Sequence, residues 1–394
     1  MLAGTTLVAQ LATVSIVARI ALVNVPFPSH IGAMMRLADV LARQGHELIV
    51  WAPEEWRSRV EQLGARLQPS SPEMPRPPGA ALAAELAATT EREAKRLVPQ
   101  LHAHDVDVVI RDSQTPWALV AAQYLGIPRI VSHPMFPMIG VTAAEGGEPD
   151  PAESERFERS WLSIGRRWGV ELSDVRGLYH STSEPTLIFT TEEIVGDQEL
   201  PPAWRCIGPL LSPPPPLQDE PGRPLVYACF GTARNRRTEL FRIVIAAMAR
   251  EPVQLVISAG GRSLTREDLG PLPSNVIVRK FVPTRELLAS ASIHITHGGC
   301  NSVHESLVAG VPMVCLPQAF DQVPLSRRVA QLGVGVIAEE DPGAVAHAVM
   351  TLLGDGAART CAQAMSERLQ RYDGEARAAA AIADCVPPAC HIRE

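Results

Sequence analysis

Apolar and polar positions repeat with two alternating periods along most of the chain. Arg19-Ile-Ala-Leu-Val-Asn-Val-Pro26 is a short apolar run rich in branched residues, which predicts a buried strand. A proline turn follows, and Met34, Leu37, Val40 and Leu41 then recur at helical spacing until Gly45 supplies a stop. Leu48 to Ala52 is a second strand pattern. Strand, helix and strand joined this closely predict a parallel β-α-β unit and an α/β fold. The rhythm returns with a strand over Val106 to Ile110, a loop holding Asp112, a helix from Pro116 to Tyr124 stopped by Gly126, and a strand from Pro128 to Ser132.

Two stretches break the rhythm. Residues 69–100 begin proline-rich and become an Ala/Glu/Arg helix, and 133–180 read as loops with polar helix. Insertions of this kind in α/β proteins often shape a substrate pocket. Near Cys206-Ile-Gly-Pro209 the composition changes, and Pro213 to Pro216 form a run that reads as a semi-rigid linker. Strand patterns then restart at Leu225 to Cys229, Val253 to Ser258, Asn275 to Phe281, Ser292 to Thr296 and Val311 to Leu316. The expected organisation is an N-terminal extension (1–18), an α/β domain (19–208), a linker (209–223) and a second α/β domain (224–394). The last helix could pack back on the first domain. Two doubly wound, Rossmann-like domains would face a cleft, with ligands beyond the carboxyl ends of their strands.

Composition narrows the classes. Of 394 residues, 35 are proline, about 9% against a usual ~5%. Net charge is −7, and Lys95 and Lys280 are the only lysines, so a nucleic-acid binder is not expected. The 7 cysteines show no CxxC spacing, which fits neither a zinc site nor a disulfide framework. The apolar stretch from Met1 lacks a basic n-region and is diluted by Thr5, Thr6, Gln10, Thr13 and Ser15, so neither a signal peptide nor a membrane span is expected. These features predict a cytoplasmic protein.

Thr296-His297-Gly298-Gly299 follows a strand and opens a helix. Glycines there let backbone amides approach an anion, and the helix N-terminus adds positive dipole. His297 could bond a phosphate oxygen, and Asn301 and Ser302 could cap the helix or touch the ligand. Glu305, a turn further on, suits a neutral diol such as ribose. Alone, this segment reads rather as a tight turn with ordinary capping. Lys280-Phe281-Val282-Pro283 lies upstream, Gly310-Val311-Pro312 downstream, and Asp321-Gln322 follows the next strand.

Together these motifs resemble the donor signature of GT-B nucleotide-sugar glycosyltransferases, the family that includes bacterial macrolide and polyketide glycosyltransferases. The resemblance is specific from Phe281 to Gly335, with His297-x-Gly299-x-Asn301-Ser302-x-x-Glu305 at its centre. It implies that Phe281 stacks on the nucleobase and that Val282 binds it through its backbone. It implies a diphosphate cradle of Gly231, Thr232, His297, Gly299, Cys300, Asn301 and Ser302, with Glu305 on the ribose. Asp321 and Gln322 would bond the donor sugar. Thr284 stands where many members have a ribose-contacting glutamine.

An acceptor hydroxyl is a weak nucleophile, so a histidine base oriented by a carboxylate suits its activation. His30 follows the first strand and Asp112 the Val106 strand, at one edge of the sheet. The resemblance implies that they form the catalytic dyad and that transfer inverts the anomeric centre without a metal ion. Ser29 and Ala33 depart from the glycine and proline usual around this histidine. Phe27 and His133 are expected to line the acceptor pocket. His46 reads as a helix cap, His294 as structural, and His102, His104, His304 and His347 as surface or packing residues. Asp105-x-Asp107 reads as strand-edge polarity and the Arg234, Arg236, Arg237 cluster as a solvated face. The expected partners are a UDP- or TDP-linked sugar, as co-substrate with no further cofactor, and a lipophilic polyketide- or macrolide-like acceptor. The chain would act as a monomer or homodimer. The alternatives are a GT-B nucleotide-sugar epimerase and a non-catalytic auxiliary protein of the same fold.

Overall fold

Both faces of each central strand are covered, which explains why their sequences are continuous apolar runs. In β1 (Arg19–Val23), Ile20 and Leu22 meet Met34, Leu37 and Leu41 of the first helix (Pro28–Arg43), while Ala21 and Val23 meet Leu97 and Trp117 on the other side. The computed structural model describes residues 17–74, 80–138, 151–172, 183–214, 222–231, 237–261, 264–318 and 321–385. Residues 1–16 of the expected extension, 215–221 of the linker, and Thr232, Arg234 and Arg236 lie outside the described residues.

The first sheet adds β2 (Glu47–Ala52), β3 (Arg66–Pro69), β4 (Val108–Asp112), β5 (Arg129–His133), β6 (Thr186–Ile188) and β7 (Trp204–Cys206). Its order is β3-β2-β1-β4-β5-β6-β7, parallel throughout. The second sheet has β8 (Leu225–Cys229), β9 (Gln254–Ser258), β10 (Val276–Arg279), β11 (Ile293–Thr296), β12 (Met313–Cys315) and β13 (Gly335–Ile337). Its order is β10-β9-β8-β11-β12-β13, again parallel. Two doubly wound α/β domains therefore follow each other along the chain.

The sequence reading misses β3, β6, β7 and β13, which span three or four residues each and are too short to show a period. It also ends β4 two residues early. Arg111 and Asp112 look like loop residues, yet both are fully buried at the end of the strand. Arg111 is tolerated there because Glu184 accepts from it and from Arg129. His46 closes the end of the first helix, as expected, through its amide, which donates to the Leu41 carbonyl at 3.2 Å, and its Nδ1 also accepts from the Ala18 amide at 3.2 Å, anchoring the entry to β1. Asp107, from the Asp-x-Asp pair, accepts from the Arg19 amide at 2.7 Å at the opposite end of the sheet from the ligand loops.

The halves share apolar contacts. Phe136 and Ile194 of the first pack with Val303, Leu307, Leu325 and Met365 of the second. His304 lies in this seam: Nδ1 donates to the Cys300 carbonyl oxygen at 2.7 Å, which makes Nε2 the acceptor for the Thr190 hydroxyl at 2.9 Å. The last helix, Gly374–Ala383, crosses back and seats Ala378 and Ile382 in the first domain's core. Gly374 is packed so closely that a Cβ there would lie 2.1 Å from the Ile207 carbonyl oxygen. Arg43 and Glu375 close this contact with paired bonds of 2.8 Å.

Two predictions follow from the buried ionisable groups. Glu184→Ala leaves Arg111 buried without its charge partner, and the loss should be roughly 3–5 kcal/mol, measurable as a lowered urea midpoint. Acid should also destabilise the fold. Burial pulls the pKa of His294 to about 3 and that of His304 to about 4. Their unfolded counterparts protonate near pH 6.5. Below that pH the unfolded chain binds more protons, so stability falls as pH falls. Glu184 acts in the same sense: burial disfavours its charge, but Arg111 and Arg129 outweigh this and hold its pKa below the ordinary value. Its contribution is lost as pH drops through that lowered value. From pH 7 to pH 5 each of these two histidines should cost about 2 kcal/mol. An unchanged urea midpoint at pH 5 would contradict this burial.

Candidate active site

In a doubly wound sheet the strand order reverses at one point, and the loops there splay apart to leave a crevice. These points are β1/β4 in the first sheet and β8/β11 in the second. The strand ends, loops and helix starts at these points carry His30, Asp112, Gly231 and His297.

His30 enters the first turn of its helix behind Pro28, and Pro at that position costs no hydrogen bond. Its Nδ1 lies 2.8 Å from Oδ2 of Asp112, and both side chains are buried. The other carboxylate oxygen of Asp112 accepts from the Gln114 amide at 2.8 Å, and the Thr115 hydroxyl donates to the Asp112 carbonyl at 2.7 Å. The carboxylate is thus fixed on both sides. The ring of Phe27 stands edge-on to the His30 imidazole at 5.7 Å. His133 departs from the expected acceptor lining. It ends β5 fully buried, with its ring against Trp204 at 5.2 Å.

The second crevice is built around His297. A Cβ on Gly299 would lie 2.3 Å from its Nε2, and one on Gly231 3.0 Å, so the imidazole is held between two glycines. Burial pulls its pKa to about 4, partly opposed by the Cys229 backbone, so the ring is neutral at pH 7. Gly299 then starts the helix Cys300–Ala309 with no side-chain cap on its first turn. Uncapped amides there carry the positive end of the helix dipole. The Cys300 side chain is buried in the seam between the halves, so only its backbone can face a ligand. Phe281 is 64% exposed, and its ring lies against Gly261. Val282 packs beside Tyr227 and Leu288. Thr284 meets the Tyr227 hydroxyl at 3.2 Å.

Three residues make contacts that the sequence reading does not foresee. Asp321 reaches the first domain, where its Oδ2 accepts from the Phe136 amide at 3.2 Å. Gln322 is buried, and its Oε1 accepts from the Gln318 amide at 2.9 Å. Asn301 also crosses the cleft: Nδ2 donates to the Ser29 carbonyl at 2.8 Å, and Oδ1 accepts from Arg36 at 2.9 Å. Arg36 is the residue that sequence reasoning missed. Its signal is a lone arginine between Met34-Met35 and Leu37-Ala38 on a helix that otherwise faces the core. Ser302 contributes its carbonyl, which accepts from the Ser306 hydroxyl at 2.9 Å. Glu305 stands a turn beyond; burial raises its pKa, opposed by Arg36 and then by Arg285. Arg237, from the basic cluster, is paired with Glu340 at 2.6 Å.

Comparison with known proteins bears on the fold and on what the chain resembles. Residues 243–372 match the family model for the C-terminal domain of erythromycin biosynthesis protein CIII-like proteins. The chain is 28% identical over 409 residues to demethyllactenocin mycarosyltransferase of Streptomyces fradiae, covering 94% of this chain and 87% of that one. It is 25% identical to an NDP-glycosyltransferase of Bacillus subtilis, covering 92% and 96% respectively. The solved glycotransferase of kitacinnamycin superposes with a TM-score of 0.78 at 25% identity, over 94% of this chain and 99% of that chain. With its two parallel-sheet domains the chain has the GT-B architecture, and over most of its length it resembles glycosyltransferases of the natural-product type.

Proposed function

We propose that this glycosyltransferase moves a sugar from a UDP- or TDP-sugar to a hydroxyl of a lipophilic small molecule, with inversion, with His30 as general base and without a metal ion. The observation that carries the reading is the buried His30–Asp112 pair, set next to Ser29, whose carbonyl the donor helix itself bonds. Asp112 accepts the Nδ1 proton, so Nε2 keeps the lone pair that takes the acceptor's proton. The acceptor oxygen bonds to the anomeric carbon as the bond to the diphosphate oxygen breaks. Charge then develops on the departing nucleoside diphosphate. The uncapped amides at Cys300 and its neighbours point their positive dipole there. A neutral His297 adds one N–H and no full charge. Phe281, open to solvent, offers a flat face for the base. The relatives named above support a natural-product acceptor.

His30→Ala should lower kcat by about 10²–10⁴-fold while calorimetry finds nucleotide affinity unchanged. Full turnover by that variant would remove the base assignment. His297→Ala should weaken nucleotide binding roughly tenfold, the worth of one hydrogen bond in a dry site. Equal affinity for both proteins would mean that this ring does not contact the diphosphate.

A further inference from the structure

We propose that Arg36 and Asn301 form a latch through which the nucleotide-binding half sets the position of the helix turn that carries His30, which makes both of them positioning residues. The inference rests on the reading of His30 as general base and assigns to that base its partner across the cleft.

Arg36 lies six residues beyond His30 on the same helix. Its Nε donates to the Pro209 carbonyl at 2.9 Å, and its Nη2 donates to Oδ1 of Asn301 at 2.9 Å. The amide of Asn301 then donates to the carbonyl of Ser29, the residue before His30, at 2.8 Å. One side chain of the second domain is thus held between the start of the helix and a point nearly two turns along it. Its Oδ1 and one of the two N–H bonds of its Nδ2 are engaged in this bridge. Apart from Arg36 this stretch is apolar, with Met34, Met35, Leu37 and Ala38 buried. Arg36 therefore brings a charge onto a core-facing helix, and burial pulls its pKa below the ordinary value, opposed by Glu305. The bridge exists only while the two halves are together. With the halves together, the bridge links the donor helix to the helix turn that carries the base.

The test compares Arg36→Met, Asn301→Ala, the double variant and Arg36→Lys. Each of the first two should lower kcat by about tenfold or more while KM for the nucleotide sugar and nucleotide affinity stay within about twofold. The double variant should be no worse than the poorer single one, because both act through one bridge. Arg36→Lys, which keeps one bond, should recover part of kcat. Amide hydrogen exchange over residues 27–34 should quicken in the Met and Ala variants. A raised KM at unchanged kcat would overturn the proposal and make these residues donor ligands. Additive losses, or undisturbed exchange with full kcat, would also overturn it. Failure of the base reading shows itself separately, as a fully active His30→Ala enzyme. Failure of the latch alone is undisturbed exchange and kcat in an enzyme that His30→Ala does inactivate.

Discussion

The apolar seam between the halves is the contact on which the site depends. Each parallel sheet carries its loops at one end, but nothing within a sheet fixes where those loops point relative to the other domain. Phe136 and Ile194 packing against Val303, Leu307, Leu325 and Met365 supply that relation. The hydrogen bond from Thr190 to His304 gives the seam direction, since a misaligned approach would leave a buried ring nitrogen unsatisfied. With the seam in place, Asn301 reaches Ser29, and Asp321 reaches Phe136.

The charges inside the protein follow one rule. A buried group is either neutral or closely paired. His294, His297 and His304 are neutral because burial outweighs every opposing influence on them. Glu184 is charged because two guanidiniums hold it. Asp112, fully buried, has the His30 ring on one oxygen and an amide on the other. The same rule places this pair on rigid elements, a strand end and a helix start.

Much of this was legible in the sequence. The continuous apolar runs over Ile20 to Val25 and Val311 to Leu316 could only be strands covered on both sides. Gly126 and Gly310 mark helix ends because each adopts a left-handed conformation that glycine tolerates. His30, Asp112 and His297 were visible because each lies at or just beyond the end of a strand pattern. What stayed hidden depends on distant partners. Arg111 reads as a loop residue until Glu184, 73 residues away, is seen beside it. His133 reads as polar and available until Trp204 covers it. Asn301 has its cleft partners 272 and 265 residues earlier, so no local pattern announces them.

The last helix gives the molecule an unusual seam between sequence and space. Ala378 and Ile382 belong to the second half by order along the chain and to the first by packing. A cut at the proline linker would therefore not yield two finished modules. It would strip the first helix of part of its cover and leave the second piece with an apolar strip facing water. Exchange of halves between related proteins must carry Gly374–Ala383 with the first domain it completes, so the transplantable unit is a discontinuous one.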